Sequence, residues 1–411
     1  MKKFQLFIII IFSFFIFTLH FFVRDIFVIS TYGVLVFLFI SQKTLFSILF
    51  IKQFKTNHKL LINTKNASCD ALIPFYNEKY VNIKKCIESI LSQKNINLKK
   101  IIVIDDGSIS DANYKKLNKN YLNKNKVKIL RTFKNQGKRY AIQETLKFSN
   151  AKFIMLIDSD SNLKNDLVLN SLLSTFTNDI SCVVPVGSAA NKNSNFFTKI
   201  LNTRLKNAFY VERAAQSYFG SVLVASGMCS IYRSNIIKDN VKEWVNQTML
   251  GIPQTYGDDR RMTAIALRYG KTTLNPTAIC ETIVTANIIS FLKQQIRWNK
   301  SFFRESFLFI KEFGIFSKPG FLSFLEIFFW VFYLTTFLNL FLNPFIGITT
   351  FIFIYIAYIF ASGIFRNIGI VFKHPEMVFL YPFYSVLHII FLTPVRLYSI
   401  LTILNSKWGT R

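Results

Sequence analysis

From about Gly320 to its C-terminal end the chain is almost continuously apolar, and a second apolar block fills roughly its first fifty residues. Few folds accept that arrangement. The runs Phe321 to Leu342 and Pro344 to Phe365 each match the length needed to cross a bilayer as a helix. A last stretch, Val378 to Leu404, holds Pro382 and Pro394, and reads either as one span or as a bent re-entrant pair. At the other end, Phe4 to Val23 and Ile26 to Ile40, extending towards Phe50, are separated only by Arg24 and Asp25, which predicts a helical hairpin. The first run is too long for a signal peptide, and no small-residue cleavage site follows it. Lys43, Lys52, Lys55 and Lys59 cluster at the far end of the hairpin. By the positive-inside rule they place the region that follows in the cytoplasm. A formal net charge of +28 beside 46 phenylalanines fits a multi-pass cell-membrane protein facing anionic lipid. It does not fit a nucleic-acid binder, because the lysines are scattered and the apolar runs too long. The five cysteines (Cys69, Cys86, Cys182, Cys229, Cys280) form no CxxC pair and read as reduced thiols.

Between the blocks, from about Ala67 to Asn287, short apolar runs alternate with polar helical stretches. Ala71 to Pro74, Ile101 to Ile104, Phe153 to Ile157 and Val222 to Val224 read as strands. Ile83 to Gln93, Tyr140 to Phe148 and Met262 to Tyr269 read as helices. Alternation of this kind predicts an α/β domain with a parallel sheet, whose ligands bind at the carboxyl ends of strands. The expected organisation is a transmembrane hairpin over 1–55, a soluble domain over 67–287, an amphipathic interfacial segment over 288–318, a transmembrane or re-entrant region over 319–404, and a terminal segment over 405–411.

The polar motifs fall at the predicted strand ends. Tyr76 and Glu78 follow the first strand, Asp105 and Asp106 the second, and Asp158-Ser159-Asp160 the third. Two carboxylates one residue apart at a strand end suit a hard dication that also takes phosphate oxygens, although a DxD taken alone equally describes a solvated turn. A carboxylate of the Asp105–Asp106 pair can accept from a base or ribose, while Asp-Gly is also ordinary turn chemistry. Lys138 and Arg139 open a helix at the end where the macrodipole is positive, so they answer either an anion such as a diphosphate or simply solvent. Gly257-Asp258-Asp259-Arg260 precedes another helix. One acid suits a general base and the other a helix cap, and the residues alone do not choose between them. Ser226-Gly227 offers small residues that let a ligand approach the backbone, and Cys229 has no neighbouring His to activate it. On the interfacial segment Gln294, Arg297 and Trp298 share one helical face. They offer an amide, a guanidinium fork for phosphate and a flat indole wall, the same set that a membrane-surface helix uses for anchoring.

The order of these pieces resembles the processive family-2 glycosyltransferases. Val211-Glu212-Arg213-Ala214-Ala215-Gln216-Ser217, Gly257-Asp258-Asp259-Arg260, the run Gln295 to Ser306 and the terminal Trp408-Gly409-Thr410-Arg411 are similar to those of bacterial class I hyaluronan synthases, over nearly the whole chain. The terminal motif also resembles that of a synthase building a glucose–glucuronate capsule. The resemblance implies a GT-A-type glycosyltransferase domain inserted between transmembrane helices. It implies alternating, inverting transfer from UDP-GlcNAc and UDP-GlcA to a growing hyaluronan chain, exported through the protein's own membrane helices. Asp259 would be the base. Asp158 and Asp160 would hold Mg2+ or Mn2+ and UDP, with Asp106 near the uridine. Gln294, Arg297 and Trp298 would meet the diphosphate and acceptor. Trp408 and Arg411 would approach the site from the C-terminus, which favours the re-entrant form of Val378 to Leu404. The alternatives are a synthase of another polymer, such as chitin, and a non-catalytic binder of nucleotide sugars or lipid. The chain departs from the family at Ala225, where the family often has Cys, and at Met228, where it often has Pro.

Overall fold

The computed structural model describes residues 26–57, 67–249, 251–342, 349, 356, 360–361, 363–371 and 373–405. The predicted run Phe4 to Val23 and the terminal motif lie outside them. The chain divides into two units, 47–248 with 253–286, and 1–46 with 249–252 and 287–411. Helix α1 is Ile26–Asn57.

The first unit is an eight-stranded sheet with helices on its faces. In chain order it carries β1 (Ser68–Phe75), α2 (Tyr80–Leu91), β2 (Asn97–Asp105), α3 (Ala112–Tyr121), β3 (Val127–Arg131), α4 (Lys138–Leu146), β4 (Phe153–Leu156) and β5 (Ser161–Leu163). There follow α5 (Val168–Leu173), β6 (Ile180–Ala189), α6 (Phe196–Asn207), α7 (Ala214–Tyr218), β7 (Ser230–Arg233), α8 (Ser234–Val245), α9 (Asp258–Tyr269) and β8 (Lys271–Thr282). The strand order is β3-β2-β1-β4-β7-β6-β8-β5. Ala71, Leu72, Ile73, Ile101, Ile102, Val103, Ile154 and Met155 are fully buried. That is why the central strands read as unbroken apolar runs rather than alternating ones.

The sheet is mixed, not wholly parallel. Strands β3, β2, β1 and β4 run parallel. Strand β7 is antiparallel to both β4 and β6, and β5 is antiparallel to β8. Strand β3 was not foreseen, so Asp158 to Asp160 follow the fourth strand, not the third. Val127 to Arg131 are half-exposed at the sheet edge and carry Lys128 among apolar residues, leaving too weak a signal. The predicted strand Val222 to Val224 is also absent. Ser221 makes a single bridge to Thr272 there, and the chain is otherwise irregular up to Ser230. A π-helical turn, Ala208–Arg213, joins α6 to α7 and carries the Val211-Glu212-Arg213 motif.

The second unit holds α10 (Ile288–Phe313) and α11 (Lys318–Leu342). It continues with α12 (Ile368–Val371), α13 (Glu376–Leu387) and α14 (Thr393–Leu401). Asn287 caps α10 by accepting from the amides of Ile289 and Ser290. Glu376 to Leu401 stays helical through both prolines, with a π turn, His388–Leu392, directly before Pro394. A widened turn relieves the clash between the proline ring and the preceding carbonyl. A polar seam joins α10 to the last helix. Arg396 Nε donates to Asn299 Oδ1 at 3.1 Å, Ser399 Oγ to the Ile296 carbonyl at 3.3 Å, and Lys300 Nζ to the Asn405 carbonyl at 3.0 Å. Among the described residues, Leu35–Thr56 and Glu376–Leu401 are helical, long and apolar enough to cross a membrane.

Candidate active site

Because β1, β2 and β4 are parallel neighbours, their carboxyl ends bring three loops side by side. The first two loops are tied together. The Asn77 amide donates to Ser108 Oγ at 2.8 Å, and the Ile109 amide to Asn77 Oδ1 at 3.0 Å. Asp105 is fully buried and accepts from Arg131 Nη1 at 2.9 Å and from the Ser108 amide at 2.9 Å. Asp106, also buried, accepts the amides of Gln136 at 3.1 Å and Gly137 at 2.9 Å. Both acids of the second motif therefore shape the loop that delivers α4. Gly107 is needed at its corner. It has φ +67°, and a Cβ there would lie 2.4 Å from the Lys134 carbonyl carbon.

The antiparallel insertion of β7 next to β4 brings in a segment some seventy residues further along the chain. Leu156 pairs with Ser230, so the turn before β7 returns to the end where β4 stops. There the Asp158 amide donates to the Gly227 carbonyl at 3.0 Å, and the Gly227 amide donates to Asp259 Oδ2 at 2.8 Å. Gly227 thus joins the DxD loop to the first turn of α9. A Cβ on it would lie 2.7 Å from Lys138 Nζ and 2.9 Å from both Asp158 Oδ2 and Asp259 Oδ1. Lys138 Nζ reaches Asp158 Oδ1 at 2.6 Å and stands 3.9 Å from Asp259 Oδ1. Asp158 and Asp259 are each 38% exposed, so the cluster opens to solvent as a cleft.

Two of the acids hold their protons more tightly than a free carboxyl. Burial pushes the Asp259 carboxyl up to about 6, with Lys138 pulling the other way and Asp158 and Asp258 adding to the rise. Burial, then Asp158 and Glu78, push Asp160 up to about 7. Asp160 Oδ1 accepts from Ser161 Oγ at 3.2 Å and Thr282 Oγ1 at 3.3 Å. Burial alone would lower Lys138, but Asp158, Asp259 and Asp258 outweigh it and keep the ammonium charged.

Asp258 and Asp259 part company. Neither caps the helix, since Gly257 holds that position in the left-handed region with no side-chain cap. Asp258, 8% exposed, pairs with Arg139 Nε. The rest of that guanidinium donates to the carbonyls of Trp244 at 2.9 Å and Tyr256 at 3.2 Å. Trp244 Nε1 closes the knot on the Asp258 carbonyl at 3.0 Å. Arg139 and Asp258, expected to meet substrate, are therefore turned into the interior. A charged pair in a dry site needs its partners there, and this one has them.

Glu78 stands on the first loop, its carboxylate accepting from the Lys79 amide and Asn82 Nδ2, both at 2.8 Å. Tyr76 is half-buried beside it. Ser226 Oγ is buried without a hydrogen-bond partner. Arg260 is half-buried on α9, close enough to Arg213 to help lower that guanidinium's pKa, which falls to about 10 through burial first. Gln294, Arg297 and Trp298 lie on α10 in the second unit, with Trp298 exposed. Trp408 and Arg411 fall outside the described residues. Sequence reasoning missed Arg131, Thr132, Gln136 and Thr282, which brace Asp105, Asp106 and Asp160. Nothing in spacing marks them, because each meets its acid only across the folded sheet. All five cysteines are buried and unbridged.

A glycosyl transferase family 2 model matches residues 70–241, which hold β1 to β7 and the DxD loop. The chain is 37% identical over 351 residues to a hyaluronan synthase of Streptococcus pyogenes, covering 83% of this chain and 82% of the relative. It is 28% identical over 353 residues to an N-acetylglucosaminyltransferase of Azorhizobium caulinodans, covering 83% of this chain and 87% of that one. A mannosyltransferase from Pyrobaculum calidifontis, solved with GDP-Man and Mn2+, shares the fold at a TM-score of 0.56 and 14% identity, over 92% of this chain and 99% of that one. With a GT-A fold, carboxylates at its strand ends and this likeness along most of its length, the chain belongs to the hyaluronan synthase family of family-2 glycosyltransferases.

Proposed function

We propose that this protein synthesises hyaluronan, adding GlcNAc and GlcA alternately from UDP-GlcNAc and UDP-GlcA and passing the polymer through its own membrane helices. The observation that carries the reading is the cleft where Asp158, Lys138, Gly227 and Asp259 meet: a carboxylate held by a backbone amide, beside a second carboxylate bonded to an ammonium. Asp259 serves as general base, its position fixed by the Gly227 amide and its proton affinity raised towards neutrality by burial. It takes the proton of the acceptor hydroxyl as that oxygen attacks the anomeric carbon from the face opposite the diphosphate. The bond to the diphosphate breaks, UDP leaves and the configuration inverts. Lys138 offers its ammonium to the diphosphate oxygens. Asp106 orders the loop on which the uridine rests, and Tyr76, Ser226 and Arg260 line its approach.

A divalent cation, Mg2+ or Mn2+, would be held by Asp158 and Asp160. The donor set suits one, since Asp158 and Asp160 stand one residue apart at the end of β4 and an ammonium already stands in for a cation at Asp158. Among the described residues no group of three or more ligating side chains gathers, so diphosphate and water would complete the coordination. When bound, the cation neutralises charge on the leaving diphosphate. Gln294, Arg297 and Trp298 serve the diphosphate and acceptor, and Trp408 and Arg411 approach from the C-terminus. The catalytic domain faces the cytoplasm of a multi-pass membrane protein in contact with membrane lipids. Purified protein given each UDP-sugar singly and in pairs is expected to make polymer only from UDP-GlcNAc with UDP-GlcA. Hyaluronidase should degrade that polymer completely. Resistant product, or polymer from one donor alone, would overturn the assignment.

A further inference from the structure

The Lys138 ammonium already occupies the first carboxylate of the DxD loop. It lies 2.6 Å from Asp158 Oδ1 and 3.9 Å from Asp259 Oδ1, in space that exists because residue 227 has no side chain. Asp158 is thereby neutralised before any ligand arrives. Asp160, its expected companion, already accepts two hydroxyls through Oδ1. A hard dication keeps most of its waters unless several anionic oxygens replace them. One carboxylate already paired with an ammonium and one already accepting two hydroxyls are a poor offer. A diphosphate changes the balance twice, by bringing anionic oxygens for the metal and by giving the ammonium another partner.

We propose that Lys138 is a resident counter-ion that makes divalent-cation binding conditional on a nucleoside diphosphate. It holds Asp158 until the diphosphate enters, then moves to the phosphate oxygens and releases the carboxylate to the cation. The cation and the nucleotide therefore bind with reciprocal positive coupling, and no bare cation rests on the acids near the base. The inference rests on the assignment above of Asp158 to the cation and Lys138 to the diphosphate. Its test uses neither sugar nor acceptor, so it is read independently of the polymer assay.

The full chain, purified in lipid, is titrated with Mn2+ alone and with Mn2+ plus UDP, following free Mn2+ by electron paramagnetic resonance. In the wild type, UDP is expected to tighten Mn2+ binding about tenfold or more. Lys138→Met should bind Mn2+ alone about twofold to fivefold tighter than wild type, the scale of one partly exposed ion pair, with the UDP effect correspondingly smaller. Lys138→Arg, which keeps the charge, should leave Mn2+ alone bound no more tightly than in the wild type. Unchanged or weaker binding of Mn2+ alone by a folded Lys138→Met would overturn the proposal. If that variant does not fold, the wild type decides, because equal Mn2+ affinity with and without UDP overturns it.

Discussion

A carboxylate that must both lose and regain a proton near neutrality has to be held close to its working range, and Asp259 is held there by burial against the pull of Lys138. The sign follows from the role. The base is active when deprotonated, so kcat/KM should rise with pH through about 6 and level off above it. Lys138 lowers this pKa, so Lys138→Met should move the midpoint upward, which a pH–rate profile at subsaturating donor will show. Asp259→Asn keeps the shape but removes the base. Transfer should fall about a hundredfold to ten-thousandfold, while UDP binding measured by calorimetry is retained. Gly227→Ala tests the close approach. Its Cβ would meet Lys138 and both carboxylates at under 3 Å, and the displacement should lower kcat about a hundredfold with a smaller change in the unfolding temperature. The acids were legible one by one, since carboxylates after apolar strands announce themselves. Their separate duties were not, because Asp258 and Asp259 are neighbours in sequence and differ only in what the fold sets opposite them.

Helices α4 and α9 are joined by the buried knot of Arg139, Asp258, Trp244 and Tyr256. The knot fixes the first turn of α9, and with it Asp259, relative to Lys138 at the start of α4. Arg139→Ala would leave Asp258 charged and unpaired in the interior, at a cost of about 3–5 kcal/mol. The expected result is a lowered midpoint in thermal or urea unfolding of the purified protein, together with lost transfer. Arg139→Lys keeps the charge but not the fork that reaches three acceptors, so it should recover stability only in part. Elements with a strong period or a clean cap were readable in advance, α10 and the central strands above all. Strand β3 and the π turn Ala208–Arg213 were not. Half-exposed edge residues lack a clear alternation, and a π turn differs from an α turn by one hydrogen-bond step that no side-chain pattern records.

Across the whole molecule, charge and apolarity divide the chain: an α/β domain lies in sequence between two helices long and apolar enough to cross a membrane. The full chain is expected to sediment with membranes and to resist alkaline carbonate extraction. Release into the soluble fraction by carbonate would contradict a spanning role for Leu35–Thr56 and Glu376–Leu401. The apolar blocks at both ends, the α/β class of the middle region and the placing of carboxylates after its strands were all determined by sequence alone. Hydropathy and strand-end placement are local properties, summed over neighbours along the chain. Only the tertiary structure decided that the sheet is mixed. By setting β7 antiparallel to β4, it carries Gly227 to Asp158 and Asp259, separates Asp258 from Asp259, and commits Arg139 inward and Lys138 to the cleft. Those decisions depend on contacts between residues up to about a hundred and twenty positions apart, and their closure is repaid by the burial of the shared core rather than by any local preference.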